Sequence, residues 1–145
     1  MARVIAIDGP SGSGKSSTSR RVGRALGFLH VDSGALYRIM TWQCLAQGVE
    51  TSDPAAVAAC AERVQVECRP ENGALAYYVD GEAPGARIRT PEINAHASPV
   101  ATVKAVRDRI TALLRGMTRY GDLVVEGRDI TTVVVPDSPA RFYLT

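Results

Sequence analysis

The sequence predicts an α/β fold, in which an open parallel sheet carries helices on both faces and a small antiparallel β insert interrupts the alternation. Short β-branched runs alternate with stretches of helical periodicity in residues 4–63, which is typical of a parallel sheet. Over residues 64–92, apolar and polar residues alternate around two hairpin dipeptides, so this segment predicts antiparallel strands. Short apolar runs that predict buried strands resume in residues 123–144, and we expect these strands to complete the sheet.

The first strand and the first helix flank a glycine-rich loop. Val4 to Ile7 is short, β-branched and bounded by Asp8-Gly9, which predicts a strand buried on both faces. A helix is predicted from the lysine after the loop to a stop at Gly27. We expect the buried stripe of this helix to consist of three apolar residues at helical spacing, Val22, Ala25 and Leu26.

A second strand and two further helices follow. Residues 28–31 predict the strand, and Asp32 or Ser33 supplies the N-cap of a helix that ends at Gly48. Another helix is expected to start near Pro54, because proline is favoured in a first helical turn.

The second half of the chain begins with two dipeptides, Asn72-Gly73 and Asp80-Gly81, that favour tight hairpin turns. The pattern then predicts a long helix from Pro99 to about Tyr120, followed by three strands in LVVEGRD, TTVVVP and ARFYLT. The buried face of the long helix is expected to comprise Val100, Val103, Val106, Ile110, Leu113 and Met117.

The amino-acid composition disfavours nucleic-acid-binding, membrane-binding and disulfide-rich classes of protein. Hydrophobic residues make up 46% and charged residues 22% of the 145-residue chain, and 17 basic against 15 acidic residues leave a net charge of +2. That balance is too weak to favour nucleic acid or a membrane surface as a partner. The three cysteines lack CxxC spacing, so we expect reduced thiols and a cytoplasmic location. We find no signal-peptide pattern and no apolar run long enough for a membrane span.

Residues 9–17, GPSGSGKSS, match the pattern of a nucleotide phosphate loop, Gly-x4-Gly-Lys-Ser. The glycines let backbone N–H groups turn toward the β- and γ-phosphates, and the helix N-terminus adds a favourable dipole. Lys15 is expected to reach the β/γ oxygens, and the Ser16 hydroxyl is expected to complete the coordination of Mg²⁺. The loop predicts a triphosphate site but does not identify the phosphate acceptor.

The stretch DSGALYR, residues 32–38, follows the second predicted strand. Ligands of open α/β sheets gather at the carboxyl ends of strands, so Arg38 is a candidate to hold a second phosphate with two hydrogen bonds. The alternative is that Ser33 is a simple helix cap and Arg38 a solvated arginine.

The stretch LVVEGRD places three charged residues at the end of a third buried strand. Glu126 is a candidate to support the metal ion through its water shell, and Arg128 is a candidate to neutralise the transferring group. The alternative is that Arg128 and Asp129 form an ion pair that braces a loop.

These stretches resemble the bacterial-type cytidylate kinases. The order and spacing of that family are found in AIDGPSGSGKSS, VDSGALYR, IRTPEINAHAS, VKAVRDRI and VEGRDITTVVVPDSPARFYL, which together cover essentially the whole chain. Many families share a phosphate loop, whereas far fewer families combine it with DSGALYR, EGRD and the hairpin insert. The resemblance implies a phosphate-loop nucleoside monophosphate kinase core in residues 1–63 and 93–145, and an insert on the CMP-binding side in residues 64–92.

The resemblance also implies an activity, the transfer of the ATP γ-phosphoryl group to CMP or dCMP with Mg²⁺, in pyrimidine nucleotide metabolism. It implies catalytic roles for Lys15, Arg38, Arg128 and Asp129. The implied ATP-binding residues are Gly9, Pro10, Ser11, Gly12, Ser13, Gly14, Lys15, Ser16 and Ser17. The implied CMP-binding residues are Ser33 at the ribose, Arg38 and Arg128 at the acceptor phosphate, and Ser98, Arg107 and Asp129 at the cytosine. For Arg107 the alternative is a solvated arginine on a polar helix face.

The chain departs from the family pattern at two places. Thr131 stands where family members usually have glycine, and we expect it to crowd the turn after Asp129. Family members also continue with an arginine-rich lid and a final helix, so we expect weak or absent turnover from this chain. We expect the chain to be a monomer. Two alternatives stay open, a nucleotide-binding fragment without catalysis and a phosphate-loop kinase for another nucleoside monophosphate. No NKxD-like stretch supports a GTPase switch.

Overall fold

Six strands form one sheet in the computed structural model, which describes residues 2–145. They are β1 (Val4–Asp8), β2 (Leu29–Asp32), β3 (Val66–Glu71), β4 (Ala74–Val79), β5 (Leu123–Gly127) and β6 (Ala140–Tyr143). Their order is β3-β4-β2-β5-β1-β6, and neighbouring strands are parallel except in the β3–β4 hairpin. The predicted α/β class is confirmed.

Residues 2–145 also contain five α-helices: α1 (Lys15–Leu26), α2 (Ser33–Ala46), α3 (Pro54–Arg63), α4 (Pro91–Ala101) and α5 (Lys104–Gly116). Short 3-10 helices span Gly85–Ile88 and Met117–Tyr120. None of the helices in residues 2–145 has the length and apolar character needed to cross a bilayer.

The chain divides into two units. The first comprises residues 1–33, 70–76 and 113–145, and the second comprises residues 34–69 and 77–112. In the second unit, large apolar side chains of α2, α3, α4 and α5 are buried, including Leu36, Ile39, Met40, Val57, Val100, Val106 and Ile110. The division into a kinase core and an insert at residues 64–92 stays a prediction.

Strand β5 lies at the centre of the first unit and is buried along its whole length. It pairs with β1 on one side and β2 on the other, so Glu126 lies beside Ile7 of β1 and beside Asp32 of β2. The carboxyl ends of these three parallel strands therefore meet at one edge of the sheet, where ligands of such sheets bind.

Helix α1 follows its predicted boundaries, with Gly14 before its first residue and Gly27 after its last. The predicted stripe is wrong in part, because Ala25 is exposed and Leu26 is 55% exposed. Ser19 and Gly23 are the buried residues instead. A Cβ at Gly23 would lie 3.0 Å from the Phe28 carbonyl oxygen, so the helix approaches the sheet too closely for large side chains.

The Asn72-Gly73 hairpin is confirmed, and both residues adopt the positive φ angles, 51° and 79°, that a tight hairpin turn requires. The hairpin joins the main sheet where Ala74 pairs with His30 of β2. The second dipeptide makes a turn closed by a single bridge between Val79 and Glu82, and the chain then enters a 3-10 helix rather than another strand.

The predicted helix from Pro99 to about Tyr120 is wrong, since two helices occupy this stretch. Pro99 lies inside α4, and the N–H of Thr102 donates to the carbonyls of Ser98 and Pro99 where α4 ends. The apolar period continues across the break, so Val100, Val103, Val106, Ile110 and Met117 are buried as predicted. Leu113 is half-buried and Leu114 takes the buried position.

The strand predicted in TTVVVP is also wrong. Ile130–Val134 form one turn of π-helix, in which the Asp129 carbonyl accepts from the N–H groups of Val133 (2.9 Å) and Val134 (3.3 Å). The carboxylate of Asp8 accepts from the N–H groups of Ile130 (2.9 Å) and Thr131 (2.8 Å). Because these N–H groups are already bonded, they are not available to a strand ladder.

Candidate functional site

The glycine-rich loop joins the end of β1 to the start of α1. Gly12 and Gly14 adopt left-handed φ angles of 78° and 85°, which an L side chain resists. The N–H of Gly9 donates to the Gly127 carbonyl (3.2 Å), which ties the loop to the end of β5. The first turn of α1 carries no side-chain cap and no acidic residue. A helix N-terminus of this kind is suited to an anion, because its free N–H groups and its dipole both favour negative charge.

Two cationic side chains border the loop. Lys15 is half-buried and its Nζ atom lies 3.5 Å from the Pro10 carbonyl oxygen, so the side chain folds back over the loop. Arg128 is exposed, and its guanidinium donates to the Ser11 hydroxyl at 2.9 Å. The first unit therefore brings together two of the predicted catalytic residues at the place where phosphate charge is expected.

A chain of hydrogen bonds connects the loop to the end of β5. Ser16 donates from its hydroxyl to Glu126 Oε1 at 2.6 Å, and the His30 ring nitrogen Nε2 lies 2.5 Å from Glu126 Oε2. His30 and Glu126 are both buried, with side chains 9% and 3% exposed. Each carboxylate oxygen thus has its own partner, one from α1 and one from β2.

The pKa of Glu126 reflects these partners. Burial acts to raise the pKa, but the hydrogen bonds from His30 and Ser16, with the charges of His30 and Lys15, outweigh it and hold the pKa below its usual range. Glu126 is therefore ionised at neutral pH. An ionised carboxylate only accepts hydrogen bonds, so the His30 Nε2 atom carries a hydrogen.

The turn after EGRD is held by Asp8, which is 1% exposed. In addition to the two backbone N–H groups, its Oδ2 atom accepts from the Thr131 hydroxyl at 2.6 Å. Thr131 does not adopt a positive φ angle, and the expectation that it crowds the turn is wrong. Asp129 is half-buried at the start of this turn.

Ser33, the first residue of α2, is 3% exposed and donates to the Glu126 carbonyl oxygen at 2.7 Å. Its hydroxyl hydrogen is therefore directed into the protein, and the oxygen lone pairs are left for another donor. This contact also explains Gly127, because a Cβ there would overlap the Ser33 hydroxyl and lie 2.9 Å from two Ile130 side-chain carbons.

The other predicted site residues belong to the second unit. Arg38 lies on α2 and is half-buried, whereas Ser98 on α4 and Arg107 on α5 are exposed. Exposure leaves the side chains of Ser98 and Arg107 accessible to a ligand, and it also fits the alternative of a solvated helix face for Arg107.

Two residues of the site, Asp8 and His30, were not predicted from the sequence. Their side-chain partners are distant along the chain, since Asp8 and Thr131 are 123 residues apart and His30 and Glu126 are 96 apart. No local spacing connects such pairs. The only signal was the position of Asp8 at a strand end and of His30 within a strand.

The donor set suits a hard divalent cation bound together with a nucleotide. Within residues 2–145 no group of three His, Cys, Asp or Glu side chains is placed to hold a metal ion. The Ser16 hydroxyl gives its hydrogen to Glu126, which leaves its oxygen lone pairs for a cation. Magnesium commonly binds through one or two protein oxygens, substrate phosphates and water, so these residues fit it.

The sequence matches a family model described as "Cytidylate kinase" over residues 5–145. A cytidylate kinase of Streptomyces avermitilis is 43% identical over 146 residues, which cover 99% of this chain and 63% of that protein. A cytidylate kinase of Mycobacterium leprae is 43% identical over 143 residues, covering 98% and 62%. One of Mycolicibacterium paratuberculosis is 44% identical over 145 residues, covering 98% and 63%. The chain spans about 63% of the length of the curated relatives it matches.

Proposed function

This chain belongs to the cytidylate kinase family, and from this premise we propose that it transfers the γ-phosphoryl group of ATP to CMP or dCMP. The products are ADP and the cytidine diphosphate. The observation that carries the proposal is the family match over residues 5–145, which includes both the phosphate loop and the strand end with Arg128. The pathway would be pyrimidine nucleotide metabolism in the cytoplasm, which accords with the reduced thiols of Cys44, Cys60 and Cys68.

ATP would bind at residues 9–17. The uncapped N-terminus of α1 and the left-handed glycines support this assignment, and Lys15 is the cation beside the loop. Mg²⁺ would be held by the Ser16 hydroxyl and, through water, by Glu126. When bound, this ion neutralises charge on the β- and γ-phosphates.

CMP would bind through six residues that match the family pattern. Arg38 and Arg128 would hold its phosphate, Ser33 its ribose, and Ser98, Arg107 and Asp129 its base. Cytosine presents an amino donor beside two acceptors, so a carboxylate together with donor side chains suits its edge. The exposure of Ser98 and Arg107 supports their availability to a ligand.

In the reaction an oxygen of the CMP phosphate attacks the γ-phosphorus, and the bond from that phosphorus to the bridging oxygen of ADP breaks. Little covalent chemistry is asked of the protein, which must align the two phosphates and neutralise charge. Lys15 contacts the Pro10 carbonyl and Arg128 contacts the Ser11 hydroxyl, and these contacts with the loop support such a role. We propose that they stabilise the negative charge of the transferring group.

The test is a coupled assay of ADP release with CMP, dCMP, UMP and AMP as acceptors, at saturating ATP and Mg²⁺. We expect the cytidine nucleotides to react fastest. Faster reaction with AMP than with CMP contradicts the proposal and favours a kinase for another nucleoside monophosphate.

A second candidate is a nucleotide-binding chain without catalysis. The phosphate loop at residues 9–17 supports ATP binding whether or not phosphoryl transfer follows. Titration calorimetry with ATP and with CMP, beside single-turnover kinetics, separates the two functions. Binding of both nucleotides without phosphoryl transfer supports the second candidate.

A further inference from the structure

A buried histidine that the proposed reaction does not use is connected through Glu126, by two successive hydrogen bonds, to the Ser16 hydroxyl of the loop. His30 lies on β2, between β5 and the start of β4 in the sheet. Its backbone N–H donates to the Gly73 carbonyl at 3.0 Å, and its side chain reaches Glu126 Oε2 at 2.5 Å. The backbone of His30 is therefore fixed by its bond to Gly73, and its imidazole ring is fixed by its contact with Glu126.

The contact determines how Glu126 is oriented. A carboxylate on a flexible side chain can rotate its two oxygens about the terminal bond. With Oε2 bonded to His30, the other oxygen, Oε1, is left facing Ser16 at 2.6 Å. The hydroxyl of Ser16 then donates inward, so that its lone pairs are free on the other side.

We propose that His30 is a positioning residue for metal-dependent ATP binding, which acts by holding Glu126 so that Glu126 orients the Ser16 hydroxyl toward a magnesium ion. The inference rests on the proposed ATP site but not on the acceptor. His30 contacts neither nucleotide nor metal in this scheme, and its effect passes through Glu126. Outer partners of this kind commonly change metal affinity about 10- to 100-fold when they are removed.

The direct test is calorimetric titration of the chain with ATP, once with excess Mg²⁺ and once with a chelator. The wild-type chain is expected to bind ATP more tightly with the metal. The variant His30→Phe is expected to lose most of that gain, about tenfold in affinity, while its affinity for ATP in chelator stays at the wild-type value. A general structural defect would lower both affinities together.

A rescue pair separates positioning from packing. His30→Gln retains an N–H donor at about the reach of Nε2 and is expected to restore the metal-dependent gain. His30→Asn is polar but too short to reach Glu126, and it is expected to behave like His30→Phe. If His30→Phe does not fold, this pair carries the test alone.

Two further variants complete the design. His96 is the chain's other histidine and bonds to Thr51 (2.7 Å), so His96→Gln serves as the matched control and should keep the gain. In a Ser16→Ala background, His30→Phe should have no additional effect, because the hydroxyl that His30 orients through Glu126 is already gone.

Three results overturn the inference: wild-type ATP affinity that is the same with and without Mg²⁺, a full metal-dependent gain in His30→Phe or in His30→Asn, and equal losses in His30→Gln and His30→Asn. None of these measurements uses CMP. If the chain binds MgATP but fails to phosphorylate CMP, the proposed function fails while the role of His30 is still tested.

Discussion

Lys15 and Lys104, the only two lysines of the chain, stand in contrasting environments. Lys15 is half-buried and folds over the phosphate loop, whereas the side chain of Lys104 is 82% exposed and pairs with Asp108 one helical turn away. An amine beside the N-terminus of a helix that has no side-chain cap favours the binding of an anion there. Surface pairs of the second kind contribute little.

We expect Lys15→Met to weaken ATP binding about 10- to 100-fold, because it removes a charge-assisted hydrogen bond while keeping the length of the side chain. Titration calorimetry with MgATP measures the change. Lys104→Met is the matched control and should bind ATP as the wild type does. Equal effects of the two substitutions would contradict the assignment of residues 9–17 to the triphosphate.

Gly127 is a second residue whose role is defined by contact distances. Substitution by alanine would force its Cβ into the Ser33 hydroxyl and against Ile130. We expect Gly127→Ala to lower the free energy of unfolding by about 1–3 kcal/mol, the usual cost of an overpacked site. Urea unfolding followed by circular dichroism measures the loss.

Gly116→Ala provides the control for this substitution, since a Cβ there would meet only the flexible end of Arg119, at 3.1 Å. Gly116 has a right-handed helical backbone, with φ −69° and ψ −19°, and alanine adopts that conformation at lower cost than glycine. Its stability should be unchanged or slightly raised. Full wild-type stability in Gly127→Ala would show that the ends of β5 and α2 can separate at no cost.

At the scale of elements, the turn of Ile130–Val134 depends on a side chain from β1. We expect Thr131→Val, which keeps the shape and removes the donor to Asp8, to cost about 1–3 kcal/mol, because the lost hydrogen bond involves a buried charge. Thr132→Val changes the exposed neighbour and should change stability little. Thermal unfolding measures the stability of both variants. Equal melting temperatures would mean that the Thr131 hydroxyl does not support the turn.

An element can be predicted from the sequence when the residues that stabilise it lie within the element itself. The Asn72-Gly73 hairpin and the boundaries of α1 are set by residues inside the turn or at the helix ends, and both were predicted. The π-helical turn replaces the predicted strand because its β-branched residues favour a strand locally, while its stabilising acceptor is Asp8, on another strand. The break at Thr102 was missed because the apolar period runs across it.

The same distinction applies to the candidate site. The phosphate loop is a contiguous motif, and it predicted the positions of Lys15 and Ser16 directly. The third strand end predicted Glu126, because parallel strands bring their carboxyl ends to one edge. His30 was missed, since only the register of β2 against β5 places it within reach of Glu126.

At the scale of the whole molecule, the position of Glu126 makes the stability of the fold depend on pH. Hydrogen bonds and nearby cations lower its pKa in the folded state, against the opposing effect of burial. The folded protein therefore binds a proton at this residue less readily than the unfolded chain does. Stability from Glu126 is fully present above the unfolded pKa of 4.5 and is lost as the pH falls through the lower folded value.

We accordingly expect the free energy of unfolding to fall steeply below about pH 4.5, and Glu126→Gln to be less stable at neutral pH but to show a shallower acid loss. The measurement is urea unfolding at a series of pH values from about 7 to about 3. Glu67→Gln is the comparison, because the pKa of Glu67 is also lowered, by its hydrogen bond to Arg69, but its side chain is 59% exposed and solvent screens the pair. Glu67→Gln should keep the wild-type acid loss. An unchanged acid loss in Glu126→Gln would mean that other carboxylates, and not the buried one between Ser16 and His30, govern acid unfolding.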